Sequence, residues 1–242
     1  MKDLDRVVSL SQIRFCWNEK QPATLEFDSL DIRKGEHIFI KGPSGSGKST
    51  LLGLLTGIIS PQSGSVQILD QQLNDLSQSG RDRFRADHIG YIFQQFNLLP
   101  YLSVIENVTL PCNFSKRRRD KVTGDLTENA IHLLQRLRLD QSLLNKPVIE
   151  LSIGQQQRVA AARALIGQPE LIIADEPTSA LDFENRTAFI ELLMEEAEKA
   201  GSTLIFVSHD PTLEAMFDRN IQLQELNQRA TQHSTEATQC QQ

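Results

Sequence analysis

The chain opens on short apolar runs separated by polar turns: Val7–Leu10, Ile13–Trp17, Thr24–Phe27 and His37–Ile40. These runs predict strands. The last of them leads straight into a glycine-rich loop, and Lys48–Ile59 beyond it predicts a helix. Ser65–Leu69 and Ile89–Phe93 predict two further short strands. From about Phe96 to Gly167 the apolar residues change to helical spacing, through Leu110, Ile131, Leu133, Leu134, Leu137, Val159, Ala160, Ala162 and Leu165. That block reads as a helical insert. Leu171–Ala174 and Thr203–Val207 are continuous apolar runs, the pattern of parallel strands buried on both faces. Phe183–Ala200 lies between them as an amphipathic helix. A strand, a helix and a strand in that order form a right-handed parallel crossover. Residues 227–242 are polar and rich in Gln and Thr, and read as a mobile tail.

Composition narrows the class. At 242 residues the chain can bury a core without disulfide or metal staples. Apolar residues at 39% and charged residues at 23% exclude collagen-like and wholly disordered chains. A net charge of −6 argues against a generic nucleic-acid binder, so no nucleic-acid partner is expected. No apolar run approaches the ~18 residues that span a bilayer. The first ten residues carry acids and lack an apolar signal core, so a cytoplasmic location is expected. Cys16, Cys112 and Cys240 are scattered and form no CxxC, and they read as reduced thiols.

The first candidate for chemistry is the loop Gly42-Pro43-Ser44-Gly45-Ser46-Gly47-Lys48-Ser49, followed by Thr50. It fits G-x-x-x-x-G-K-[ST] and sits between a predicted strand and a predicted helix, where a phosphate loop must sit. Small residues let successive backbone N–H groups wrap a phosphate, and the helix N-terminus adds its positive dipole end. Lys48 then reaches the β and γ phosphates, and Ser49 ligates Mg²⁺. The second candidate is Asp175-Glu176, at the end of the apolar run Leu171–Ala174. Two acids there are costly unless they bind something. Asp175 is expected to hold the Mg²⁺ of a bound nucleotide, and Glu176 to polarise the attacking water as general base.

With these residues the chain resembles the ATP-binding-cassette ATPases over about residues 5–226. Tyr91-Ile92-Phe93-Gln94 is similar to that family's glutamine loop, and Leu151-Ser152-Ile153-Gly154-Gln155 to its signature motif. Ser179-Ala180-Leu181-Asp182 is similar to its D-loop, and Ser208-His209-Asp210 to its switch histidine. The resemblance implies an α/β fold: a P-loop NTPase, RecA-like parallel-sheet core with an N-terminal antiparallel β subdomain and a helical subdomain insert. It implies one cassette over 1–226, with the core and β subdomain in 1–95 and 167–226, the helical subdomain in about 96–166, and a tail at 227–242. It further implies ATP and Mg²⁺ as ligands and an ATP-dependent homodimer. In that dimer Ser152, Gly154 and Gln155 of one copy meet the ATP held by the phosphate loop of the other. Gln94 would contact Mg²⁺ and the γ-phosphate, His209 the γ-phosphate, and Asp182 would couple the two sites. Trp17, 25 residues before Gly42, stands where the family carries an aromatic stacked on adenine, with Phe15 a neighbouring candidate. The family usually has Gly where this chain has Ile153. A β-branched residue avoids positive φ, so closure is expected to be strained if the loop needs that conformation there.

A single cassette without a long coiled-coil insert implies a subunit that docks on a membrane permease, peripheral on the cytoplasmic face of the membrane. Phe96-Asn97-Leu98-Leu99-Pro100 offers apolar residues either for that docking or for packing within the helical subdomain. That stretch, Glu106–Pro111 and Ala174–Thr178 are similar to the lipoprotein-releasing and macrolide-export ATPases. The D-loop and Gln94-Gln95-Phe96 look more like the polar amino-acid importers, and a non-transport ATPase switch is a third reading. Lys116–Lys121, the one basic cluster, reads as a solvated loop or as a contact for anionic lipid.

Overall fold

The computed structural model describes residues 6–179 and 183–227. In chain order these form strands β1 (Arg6–Phe15), β2 (Leu25–Arg33) and β3 (His37–Lys41), helix α1 (Lys48–Leu55), and strands β4 (Ser63–Ile68) and β5 (Gln71–Gln72). Helix α2 (Gln78–His88) and strand β6 (Ile89–Ile92) follow, then helices α3 (Val104–Phe114), α4 (Lys116–Lys121), α5 (Leu126–Arg136) and α6 (Ile153–Leu165). Strand β7 (Leu171–Asp175), helix α7 (Phe183–Lys199), and strands β8 (Thr203–Ser208) and β9 (Arg219–Gln222) complete the chain. The chain divides into two compact units, residues 1–82 with 207–242, and residues 83–206. The polar tail expected at 227–242 lies, from residue 228 on, outside the described residues.

In the first unit β2, β1, β4 and β5 form an antiparallel sheet in that order. The sequence predicts two strands where β1 is one, because polar Ser11 and Gln12 interrupt the apolar run. Those residues form a bulge: Gln12 has φ 50°, and the pairing with β4 shifts register between Ser11 and Arg14. Gly64 makes the bulge possible, since a Cβ there would lie 2.3 Å from the Gln12 carbonyl. β2 runs past its predicted end because its later polar positions pair across the strands. Asp31 stands opposite Ser9 and accepts its hydroxyl at 2.7 Å, while Leu30 and Ile32 stay buried. β3 pairs in parallel with β9, and its Ile38, Phe39 and Ile40 are wholly buried, as a continuous apolar run requires. α1 ends at Thr56, earlier than predicted, because Gly57 turns left-handed at φ 65°.

In the second unit β6 pairs in parallel with β7, whose Leu171–Ala174 are fully buried. The helical insert appears as α3 to α6. Ser103 and Glu106 close a capping box at the start of α3, and Ser152 and Gln155 close another at the start of α6. Asn107 is fully buried on α3; its side chain accepts from the Leu99 amide and donates to the carbonyls of Leu99, Leu102 and Ser103. One residue thereby fixes the whole connection into α3.

The basic cluster is helix α4 rather than a loop: Lys116, Arg117, Arg119 and Asp120 are exposed, and Arg118 turns inward. Arg118 is 3% exposed, and its guanidinium donates to the carbonyls of Ile166 at 2.6 Å and Ala164 at 2.6 Å, the C-terminal end of α6. Desolvation pulls its pKa down to about 10, against the opposing pull of Cys112, Glu170 and Asp87. Arg117 and Lys121 both pair with Glu170, which also meets His88 at 3.0 Å. Burial by itself pushes the Glu170 carboxyl up; hydrogen bonds from His88, Lys121 and Arg117 outweigh it and hold the carboxyl well below the usual range. Cys16 and Cys112 are buried free thiols.

Two predictions follow from this clasp. Replacing Arg118 with Met leaves buried carbonyls without donors, an expected cost of about 2–4 kcal/mol. The urea midpoint, followed by circular dichroism, checks this, with Arg118→Lys expected between wild type and Met. Because the Glu170 pKa is depressed by folding, its contribution is present above the ordinary glutamate pKa of about 4.3 and is lost as pH falls below it. Wild type minus Glu170→Gln in unfolding midpoint should therefore be constant from neutral pH down to about 5 and shrink below that.

Candidate functional site

The phosphate loop lies in the first unit, between β3 and α1. Gly45 and Gly47 are left-handed, at φ 79° and 98°. At Gly47 a Cβ would also lie 2.9 Å from Leu25, so the turn needs glycine for both backbone and space. Lys48 opens α1, and its ammonium donates to the carbonyls of Gly42 at 2.6 Å and Pro43 at 3.2 Å. The lysine is thus held along the loop it follows. α1 has no side-chain cap and no acid in its first turn, so its leading N–H groups are left for an external anion. The Ser46 hydroxyl oxygen is buried and without a hydrogen-bond partner among the described residues. A Cβ at Gly42 would lie 2.4 Å from it, so the loop has already closed to near contact around this hydroxyl. An orphaned donor inside a glycine loop at a helix N-terminus is what a phosphate oxygen satisfies.

Trp17, Thr50 and His209 belong to the same unit. The Trp17 indole N–H donates to the Thr50 hydroxyl at 3.2 Å, tying the aromatic ring to the start of α1. Its ring stands edge-on to Phe15, centroids 5.1 Å apart. Trp17 is 66% exposed and Phe15 is 5% exposed, so of the two aromatic candidates Trp17 is the one that offers a face. Ser49, next to Thr50 in the chain, is exposed on α1. His209 is exposed immediately past the buried end of β8. The Asp210 carboxylate accepts from the Thr212 amide at 3.0 Å, which starts a short 3-10 turn.

The second unit carries the acids and the signature motif. Asp175 ends β7, where the Tyr91 hydroxyl donates to it at 3.4 Å. Burial, then the charge and hydrogen bond of Asp175, push the Tyr91 hydroxyl pKa up, so it stays a donor. Glu176 is left-handed at φ 45°, an unusual conformation for a residue with a Cβ. The buried Gln157 of α6 donates to the Pro177 carbonyl at 2.9 Å and so fixes the chain just beyond it. Gln94 is exposed two residues past β6. Asp182 lies outside the described residues.

The signature helix α6 starts at Ile153. Ser152 is its N-cap and accepts from the Gln155 amide at 3.3 Å, while the Gln155 side chain accepts from the Ser152 amide at 2.9 Å. Ile153 is the first helical residue, 54% exposed, and is absent from the left-handed positions. The strain considered for a branched residue here therefore does not arise, because the chain enters the helix directly. Beside this end of α6 is a cavity of about 420 Å³ lined by Ser152, Gly154, Gln155, Gln157 and Arg158 among others. Arg158 donates to the Leu137 carbonyl at 2.8 Å, at the end of α5.

Each unit thus gathers its own set: Trp17, the phosphate loop and His209 in one, Gln94, the signature residues, Asp175 and Glu176 in the other. Sequence reading missed Tyr91 as the partner of Asp175, and Gln157 and Arg163 as anchors of nearby loops. Their targets are mainly backbone carbonyls, which leave no pattern in the sequence. The apolar stretch after Gln94 is mixed: Phe96 is buried, Leu98 and Leu99 are half-buried, and Tyr101 beyond them is 75% exposed.

A family model described as ABC transporter matches residues 25–179. The chain is 38% identical to the lipoprotein-releasing system ATP-binding protein LolD of Psychrobacter arcticus, over 91% of this chain and 96% of that protein. It is 41% identical to the macrolide export ATP-binding/permease protein MacB of Campylobacter jejuni, over 87% of this chain but 32% of that protein. Among solved structures it is similar to the dimeric post-hydrolysis state of the ATP-binding cassette MJ0796 bound to ADP and Pi. That likeness has a TM-score of 0.77 at 36% identity and covers 89% of this chain and 93% of the other. The fold is accordingly the expected α/β P-loop NTPase with parallel strands, an antiparallel sheet and a helical insert. The chain belongs to the ABC transporter family, as one of its ATP-hydrolysing cassettes.

Proposed function

We propose that this cassette drives a separate membrane permease of the lipoprotein-releasing or macrolide-export type, by closing as a homodimer on ATP at the cytoplasmic face of the membrane. The observation that carries the nucleotide reading is the phosphate loop, with its left-handed Gly45 and Gly47, its tethered Lys48 and its orphaned Ser46 hydroxyl. The near-complete span shared with LolD supports the choice of transporter group. Among the described residues no helix is long and apolar enough to cross a membrane, so membrane attachment in this reading comes through the permease.

In this reading the backbone of Gly42–Gly47 wraps the phosphates and the Ser46 hydroxyl donates to one of their oxygens. Lys48 swings from the loop carbonyls to the β and γ phosphates, exchanging neutral acceptors for charged ones. Ser49, Gln94 and Asp175 are the residues whose oxygens would hold Mg²⁺, which neutralises charge on the β and γ phosphates. Trp17 stacks its exposed face on adenine. Glu176 takes the proton of the attacking water as the water oxygen bonds to the γ-phosphorus. The bond to the β-phosphate oxygen breaks, and ADP and inorganic phosphate leave. His209 contacts the γ-phosphate and orients the water. From the second copy come Ser152, Gly154 and Gln155, with the N-terminus of α6 directed at the γ-phosphate. Asp182 couples one site to the other.

Replacing Glu176 with Gln should lower steady-state ATP hydrolysis by about 10²–10⁴-fold, the usual worth of a general base. The same variant should form an ATP-dependent dimer in light scattering, whereas the wild type should dimerise only transiently. An unchanged rate would remove Glu176 as the base. Because Ile153 sits in the first helical turn without strain, Ile153→Gly should change the rate by less than about threefold, the exchange costing only helix propensity of roughly 0.5 kcal/mol. A many-fold faster variant would show that the isoleucine obstructs closure.

A further inference from the structure

The loop that follows Gln94 is held in an unusual way. Phe96 and Asn97 are both left-handed, at φ 59° and 47°, and neither is glycine. Two adjacent residues with a Cβ in that region are strained and persist only where surrounding structure imposes them. The structure that does so is one side chain. Arg163, on α6, donates to the Asn97 carbonyl at 2.7 Å and to the Phe96 carbonyl at 2.5 Å, one guanidinium nitrogen to each. Inside the loop the Phe96 amide donates to the Phe93 carbonyl at 2.9 Å and the Asn97 amide to the Gln95 carbonyl at 2.6 Å, so the turn closes back over Gln94. The Phe96 ring is buried, which leaves the turn no freedom to roll. Further along, Asn107 grips Leu99 through both its amide and its carbonyl. The loop is therefore pinned on both sides of Leu98, and exposed Gln94 lies two residues before Phe96, inside the turn that the Phe96–Phe93 hydrogen bond closes.

We infer that Arg163 is a positioning residue for the hydrolysis reaction: it fixes the left-handed turn at Phe96–Asn97, and through it the placement of Gln94, from the same helix that begins at Ser152 and Gly154. A guanidinium suits this work because its planar fork donates two N–H groups at fixed separation to two carbonyls. The consequence is that a shift of α6 at its N-terminal end is carried to Gln94 by a rigid helix and one side chain. This inference rests on the proposed contact of Gln94 with the reacting phosphate.

The test is a double-mutant cycle on the full chain, using Gln94→Ala, Arg163→Met and the pair, with ATP hydrolysis and ADP binding both measured. Gln94→Ala and Arg163→Met should each lower kcat, by about tenfold, while ADP affinity, which involves no γ-phosphate, changes less than twofold. Combined, they should be no slower than Gln94→Ala alone, because Arg163 acts through Gln94. Arg163→Lys, with a single point donor, should retain an intermediate kcat, and it takes the place of Met in the cycle if Met does not fold. Amide exchange at Phe96 and Asn97 should quicken in the Arg163 variants. A kcat loss that multiplies in the pair, or no kcat loss in Arg163→Met beside a loss in Gln94→Ala, overturns the inference alone. Full activity in Gln94→Ala overturns the contact of Gln94 with the phosphate, and the inference with it.

Discussion

Backbone carbonyls that neither helix nor strand satisfies are the constraint around which the second unit is built. A buried carbonyl without a donor costs about as much as a lost hydrogen bond, so every irregular segment must find one. Here the donors are long side chains, and most of them stand on α6 or reach toward it. Arg118 supplies the end of α6, Arg158 the end of α5, Gln157 the turn after Glu176, and Arg163 the turn after Gln94. Ser152 and Gln155 close the other end of the same helix. α6 is thus capped at both ends and works as a rigid bar. The loops carrying Gln94 and Glu176 are shaped by what hangs from it.

This accounts for how the basic cluster is held within the chain. In sequence Lys116–Lys121 has the look of a charged surface, and charge runs usually are solvated faces. Yet Arg118 is buried because helix termini concentrate unsatisfied carbonyls and negative dipole, and a guanidinium answers both. Arg117 and Lys121 are not idle either, since Glu170 sits between them and His88. Charge alternation in the fold, invisible in the linear order, turns a repulsive run into a clasp.

What could be read from the sequence followed from local rules. The phosphate loop was legible because its glycines, lysine and serine are adjacent and must lie between a strand and a helix. Continuous apolar runs located β3, β7 and β8 to within a residue or so. Asp175 and Glu176 were legible as candidates because two carboxylates ending an apolar run call for a partner. The rest depended on distant partners. β1 joins two apolar runs across a bulge at Gln12, and β2 runs past its apolar run because Asp31 pairs with Ser9 across the strands. At the start of α6 a capping box places Ile153 inside the helix, where its branched side chain costs little. Tyr91, Gln157 and Arg163 were missed because their targets lie dozens of residues or a helix away.

The left-handed residues make the same point about function. Phe96, Asn97 and Glu176 all hold conformations that glycine would adopt at no cost. Glycine would reach φ > 0 without help, and would also leave it freely. A residue with a Cβ stays there only while something holds it, so its geometry is conditional on the holder. In this chain the holders, Arg163 for the first turn and Gln157 for the segment after Glu176, are both side chains of α6. Strain at the proposed reacting residues is therefore tied to the helix that carries the signature motif. The loops carrying Gln94 and Glu176 thus share one support, and the geometry of both is set by the position of that helix.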